Sequence, residues 1–312
     1  MSFANQGAYE AHEKSKIHQG NYSEYKKKRI ETMNTEPPVV FASVMEHNSN
    51  LLPWRESGAT IEFVNINTES GELNYDELEE LLQKYKTYNG LKIGTFAAGS
   101  NITGILNDID YISCLLHKNN AYSFVDYAAV SPYIDINMNG PTKRFNRVSH
   151  EDAHLCYKDA AFVSPHKFVG GPDTPGLLVC KKEILCNNQP VQVGGGIVFF
   201  VDKESHLYVR GVEEREEGGT PSIIGVVRAG LCFQLKESLS TEFIEQKEEH
   251  IIKHVNKRFA EMKNIVLLGN NELEKVPIYS FLIRCKGKFL HFHFVGKLLN
   301  DLFGIQTRTG CS

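Results

Sequence analysis

The chain lacks a charge excess, an apolar leader and any long hydrophobic run, and each absence removes a class of function. Its 34 Lys and Arg nearly balance 38 Asp and Glu, leaving a formal net charge of −4 over 312 residues. A surface without a dominant sign gives no electrostatic reason to expect nucleic acid or an anionic membrane as partner. No apolar stretch approaches the roughly 20 residues that span a bilayer. The opening residues, MSFANQGAYEAHEKSKIH, hold no apolar core and carry glutamates, which fits neither a secretory signal nor an Arg-rich transit peptide. Paired cysteines are lacking too. The seven, at 114, 156, 180, 186, 232, 285 and 311, are odd in number and include no CxxC. That spacing fits neither a disulfide framework nor a zinc knuckle, and the expected compartment is the reducing cytoplasm.

What is present is enough apolar material, 41% of residues, for a sizeable core. Residues 1–36 are polar, with a basic run YKKKR at 25–29 that reads as a solvated face, and their periodicity is helical at best. From Val39 the pattern changes. VVFASV (39–44), ATIEFVNI (59–66), LKIGTFAA (91–98), AYSFVDYAAV (121–130), DAAFVSP (159–165) and GLLVCK (176–181) read as strands. SNLLPWRES predicts a short helix ended by Gly58, and NYDELEELLQKY (74–85) an amphipathic one with Leu78, Leu81, Leu82 and Tyr85 on one face. NDIDYISCLLHKNN (107–120) predicts a third, with Ile109, Ile112, Leu115 and Leu116 inward, and 221–262 is largely helical. Repeated β–α–β units give an α/β class with a mostly parallel sheet covered by helices on both faces. The expected division is a helical segment 1–36, a large α/β domain 37–262 and an incomplete small α+β domain 263–312. HFHF (291–294) alternates at strand period, which argues against a metal site, and VEEREEGG (212–219) reads as a solvated charge run.

Several strands end in reactive groups: His47, Asn101, Asp126 and Lys167. In open α/β sheets ligands bind outside the carboxyl ends of the strands, so the four side chains can meet in one crevice. Each also has an ordinary reading. Asp126 can cap a following segment, Asn101 can serve its turn, and His47 and Lys167 can be surface or core-edge residues.

The segment SPHKFVGGPDTPGLLV resembles the lysine segment of class V aminotransferases, the pyridoxal-phosphate enzymes that include cysteine desulfurases, selenocysteine lyases and kynureninases. MEHNSNLLPW (45–54), GSNITG (99–104), FVDYAAV (124–130), EEGGTPSIIG (216–225) and GIQTRTG (304–310) extend the likeness in the family's order. The resemblance implies fold type I, pyridoxal 5'-phosphate as cofactor, and an amino acid as substrate. It also implies a homodimer and, for a desulfurase, a sulfur-acceptor protein. By the same resemblance Lys167 is the Schiff-base lysine, and Asp126 keeps the ring nitrogen protonated. His47 stacks on the ring and passes protons, and Asn101 approaches the ring hydroxyl. Ser164 and His166 bind phosphate, Thr220 reaches it from the neighbouring subunit, and Arg308 holds the substrate carboxylate.

Three departures from the family pattern stand out. The Gly-Ser/Thr turn that usually precedes the MEHNSN strand has no counterpart, and residues 31–38 read as a junction where a segment is lost. Ala129 stands where a Gln often lies three residues after the Asp. Cys311 lies three residues after Arg308, whereas the persulfide-forming Cys of related desulfurases lies five after. The leading expectation is a cysteine desulfurase-like reaction, with transamination or kynureninase-type cleavage as alternatives using the same Lys, Asp and His. The reading from another class is a truncated, non-catalytic homologue that pairs with a complete copy.

Overall fold

The computed structural model describes residues 36–142 and 144–310. The expected helical segment 1–36, apart from its last residue, lies outside them, as do the basic run at 25–29 and Cys311. The described chain opens with β1 (Val39–Ser43), α1 (Asn48–Ser57), β2 (Thr60–Val64), α2 (Tyr75–Lys84), β3 (Lys92–Ala97), α3 (Ile109–Lys118) and β4 (Tyr122–Asp126). β5 (Ala160–Val163) and β6 (Leu177–Cys180) follow a long connection. These strands form one sheet in the order β2-β1-β3-β4-β5-β6. All neighbours are parallel except β6, which runs antiparallel to β5.

Burial follows from position in that order. β1 and β3, in the interior, are buried at every residue, which is why VVFAS and KIGTFA lack a solvent-facing alternation. Edge strand β2 is mostly half-exposed. β6 ends the sheet among the described residues and leaves Leu178 and Val179 exposed. The helices close as their end residues dictate. His47 caps α1 and Gly58, at φ 88°, ends it; Asn74 caps α2 and Asp108 caps α3 through side-chain oxygens. Ile109, Ile112, Leu115 and Leu116 of α3 are all buried. A Cβ at Gly94 of β3 would sit 2.4 Å from a Leu116 methyl, so the missing side chain sets how closely α3 approaches the sheet.

Among the described residues the connection from β4 to β5 carries no α-helix, and it is held instead by a buried ion pair. Lys158, fully buried, donates from Nζ to Asp110 Oδ1 at 2.6 Å and to the Gly140 carbonyl at 3.1 Å. Asp110 Oδ2 accepts from the Thr142 amide and hydroxyl at 2.7 and 2.8 Å. One carboxylate on α3 thereby ties down the 140–142 turn and the start of β5.

Beyond β6 come a hairpin of β7 (Val198–Val201) and β8 (His206–Tyr208), then α4 (Val212–Glu216), α5 (Ile223–Leu239) and α6 (Thr241–Ala260). The helical stretch 221–262 breaks at Ser240, whose φ is 64° and whose hydroxyl accepts from the Phe243 amide to start α6. β9 (Ile265–Leu267), β10 (Phe281–Cys285) and β11 (Lys288–Phe289) form a three-stranded antiparallel sheet, followed by α7 (Phe292–Phe303).

Two local expectations are corrected. HFHF is not a strand: His291 caps α7, its Nδ1 accepting from the His293 amide, and residues 292–294 are the first turn of the helix. The Val295–Leu299 helical spacing and that cap outweigh four residues of alternation. VEEREEGG is not solvated throughout, because α4 turns Arg215 inward and half-buries Glu216, which accepts from the Val191 amide, while Glu213 and Glu214 face out. Among the described residues no helix is long and apolar enough to cross a membrane.

Asp110→Ala leaves the fully buried Lys158 ammonium without its anion. It is expected to lower stability by about 3–5 kcal/mol, read from the denaturant midpoint at unchanged slope.

Candidate functional site

The strand order places the site. From β1 the chain moves outward to β2, then returns across to β3 on the other side of β1, so the order reverses between β1 and β3. Connections diverge there and leave a crevice at the carboxyl ends of the strands. A cavity of about 280 Å³ opens there, lined by His47, Ser49, Asn101, Asp126, Ser164, His166, Lys167 and Arg308, with Ala97, Gly99, Ala128 and Ala129 completing its wall. Of the residues singled out in the sequence, only Thr220 lies outside it.

The lysine loop is built by a single-turn 3-10 segment, Pro165–Lys167, directly after β5. Pro165 supplies a fixed φ at its start, and the Lys167 amide donates to the Ser164 carbonyl at 3.0 Å. Gly171 then folds back so tightly that a Cβ there would lie 1.9 Å from the Pro165 carbonyl oxygen. Gly225 of α5 likewise meets the loop at the Asp173 carbonyl, where a Cβ would come within 2.9 Å. Phe168 is buried beneath the turn and packs its ring against Phe233 of α5 at 4.9 Å between centroids. The glycines and prolines thus clamp the loop between β5 and α5, and the lysine projects from a braced turn.

Charge in the cavity is unevenly solvated. Asp126 is buried, and that burial pushes its carboxyl up, opposed by the hydrogen bond from the Ala128 amide at 2.8 Å and by the charges of Lys167 and His47. It therefore serves both readings open to it: it caps its own turn and faces the cavity. The Lys167 side chain is solvent-accessible, yet its amine lies in the cavity wall. The enclosing protein holds it below the usual lysine range; Asp126 pulls it up and Arg308 pushes it further down. His47 joins the cavity as the residue that caps α1, its Nδ1 accepting from the Ser49 amide at 3.2 Å.

Thr220 is exposed and precedes α5. Its neighbours 218–219 pack backbone to backbone against the 192–196 loop, with the Gly219 amide donating to the Gly195 carbonyl at 2.9 Å. Sequence reasoning missed Ser49, two residues after His47, and Glu46, which follows the apolar β1 and is enclosed by hydrogen bonds. A larger cavity, about 650 Å³, is lined by α6 and residues 271–276, but glutamates dominate its wall and it holds no imidazole.

The donor set fits pyridoxal phosphate. An amine held below its ordinary pKa, a buried carboxylate, an imidazole, an amide and two phosphate-suited donors line one cavity.

The comparisons with known proteins come from sequence and from shape. The chain is 27% identical over 296 residues to a probable cysteine desulfurase of Borreliella burgdorferi, covering 93% of this chain and 62% of that protein. It is 27% identical over 270 residues to another from Halalkalibacterium halodurans, covering 85% and 59%. The chain thus spans about three fifths of the length of these curated relatives. Among solved structures it resembles a cysteine desulfurase from Thermococcus onnurineus, with a TM-score of 0.67 at 23% identity over 86% of this chain and 61% of that one. It also resembles the cysteine desulfurase CsdA of Escherichia coli, with a TM-score of 0.68 at 20% identity over 88% and 62%. These likenesses, with the mostly parallel sheet, establish the fold of type I pyridoxal-phosphate enzymes. The family model described as Aminotransferase class-V matches residues 36–312. The chain belongs to the class-V aminotransferase family.

Proposed function

We propose that the chain binds pyridoxal 5'-phosphate and acts on an amino acid, with a cysteine desulfurase-like reaction favoured by its relatives. The observation that carries this reading is the meeting of Lys167, Asp126, His47 and Arg308 in one cavity at the point where the strand order reverses. Bound there, the cofactor would supply an aldehyde for amines and a conjugated ring that accepts electrons from the substrate α-carbon.

Lys167 would be the residue that holds the cofactor through its aldehyde, and its amine would be the group placed to move a proton at the substrate α-carbon. Its lowered pKa keeps a larger uncharged, nucleophilic fraction near neutrality than an exposed lysine has. Asp126 would hold a proton on the ring nitrogen by electrostatic pairing. His47 would pack on the ring and carry protons, Asn101 would meet the ring hydroxyl, and Ser164 and His166 would donate to the phosphate. Arg308 pairs with the substrate carboxylate through its planar fork. Transamination and kynureninase-type cleavage need the same Lys, Asp and His, and are the alternatives within the family.

A second copy completes the picture. α5 presents Ile223, Ile224, Val227 and Leu231 to solvent, and the neighbouring hairpin presents Phe199 and Val201. An apolar surface of this kind favours a homodimer, and Thr220, at the foot of α5, would then reach the partner's phosphate site. The division at about residue 262 and a sulfur-acceptor protein belong to the same proposal. The reading as a non-catalytic homologue is favoured by one feature: of the phosphate ligands that the family resemblance implies, only Ser164 and His166 line the cavity, and Thr220 does not.

Adding pyridoxal phosphate to the protein is expected to produce an absorption band near the visible edge, absent in Lys167→Ala. A chain with no band at saturating cofactor is the non-catalytic homologue. With cysteine as substrate and an added thiol to reduce the transferred sulfur, the loaded protein should release sulfide and alanine in equal amounts, and transamination without sulfide would replace the desulfurase reading. The rate of band formation should rise with pH as Lys167 deprotonates and level off below the usual lysine range. In Asp126→Asn that midpoint moves to lower pH, because the charge that stabilises the ammonium is gone.

A further inference from the structure

The turn between β1 and α1 carries a second carboxylate with no part in the scheme above. Glu46 as a whole is only half-buried, but its carboxylate is enclosed. Oε1 accepts from the Ser43 hydroxyl at 2.6 Å and from the Ala97 amide at 3.1 Å, and Oε2 accepts from Asn50 Nδ2 at 2.7 Å. Asn50, itself buried, accepts on Oδ1 from the Thr95 hydroxyl at 2.7 Å. The three donors belong to the last residue of β1, the last residue of β3 and the first turn of α1. Ala97 is the register partner of Asp126 on β4 and lines the cavity.

His47 sits within this clamp. Its carbonyl accepts from the Asn50 and Leu51 amides at 2.9 and 3.1 Å, so the residue that bonds Glu46 also starts the helix His47 caps. The ring is fixed by a different bond. The Ser49 amide can only donate, so Nδ1 at 3.2 Å must present its lone pair, and the ring proton resides on Nε2. Asn50 links this cap to the sheet: Glu46 and Thr95 hold its side chain, and its amide with that of Leu51 holds the His47 carbonyl, so the first turn of α1 that presents the Ser49 amide is fixed against β3.

We propose that Glu46 is the positioning residue for His47: by tying Ser43, Asn50 and Ala97 together it fixes the β1–α1 turn against the end of β3, and so commits Nδ1 as an acceptor and the proton to Nε2. This deepens the proposed function and rests on it only for the role of His47 in turnover. Glu46 touches neither substrate nor cofactor and acts through its neighbour. Its partners are all donors, so an amide in its place sets an N–H₂ against a donor.

The test has two readouts. Nitrogen-15 spectra of the imidazole in cofactor-free protein report which ring nitrogen carries the proton. Wild type is expected to show a single Nε2–H form for His47, and Glu46→Gln a mixture of tautomers. Ser43→Ala removes the 2.6 Å bond to Glu46 and the 3.1 Å bond its hydroxyl accepts from the Met45 amide, leaves the Asn50 and Ala97 bonds in place, and should move the spectrum the same way to a smaller extent; it keeps the test open should Glu46→Gln not fold. In the loaded protein, turnover is expected to fall on the order of tenfold to a hundredfold in Glu46→Gln, with a displaced pH profile and nearly unchanged cofactor affinity. A single Nε2–H tautomer retained in both folded variants overturns the proposal. A wild type without a visible band overturns the enzymatic reading instead, while a tautomer shift in the variants still supports the clamp.

Discussion

A parallel sheet buried on both faces must run every strand in one direction, and all else in this molecule depends on that constraint. Strands β1, β3, β4 and β5 each need a crossover to bring the chain back, so each delivers its carboxyl end to the same edge. Only where the order reverses do two crossovers part and leave that edge uncovered. His47 and Lys167 lie 120 residues apart in the chain with Asn101 and Asp126 between them, yet all four open on one cavity. The sheet places them there without any contact specific to chemistry.

The cavity is a balance of unlike charges in which none is fully solvated. Asp126 is held up by burial and drawn down by Lys167 and His47, while Lys167 is held down by burial and by Arg308. Glu46 adds a second carboxylate on the inner side, pushed up chiefly by its own burial and, to a smaller degree, by Asp126. Asp126 draws the Lys167 ammonium towards staying protonated, the enclosing protein and the Arg308 guanidinium oppose that, and the balance leaves the amine below the usual lysine range.

Much of this was legible in the sequence, and what was missed has a physical reason. Apolar runs ending in His47, Asp126 or Lys167 announce themselves, because a strand core leads straight into a polar group. The need for glycine at position 171 was not legible, since it depends on the Pro165 carbonyl approaching within 1.9 Å of where a Cβ would be. Glu46 looks like a solvated acid in sequence. Its enclosure comes from Ala97, 51 positions away, and from the rotamer of Asn50. HFHF misled for the opposite reason: four alternating residues carry less weight than a cap and the turn of helix that follows.

The sheet's last strand has a bearing on how the protein behaves in bulk solution. β6 offers an open row of backbone donors and acceptors beside exposed Leu178 and Val179, a template on which another chain can extend the sheet. Lys181 and Lys182 follow at once and put positive charge at that edge, part of it paired, since Lys182 lies 3.2 Å from Glu213. Repulsion between two such edges reaches about 10 Å at 0.1 M salt and about 3 Å at 1 M, so added salt weakens this guard on the edge strand.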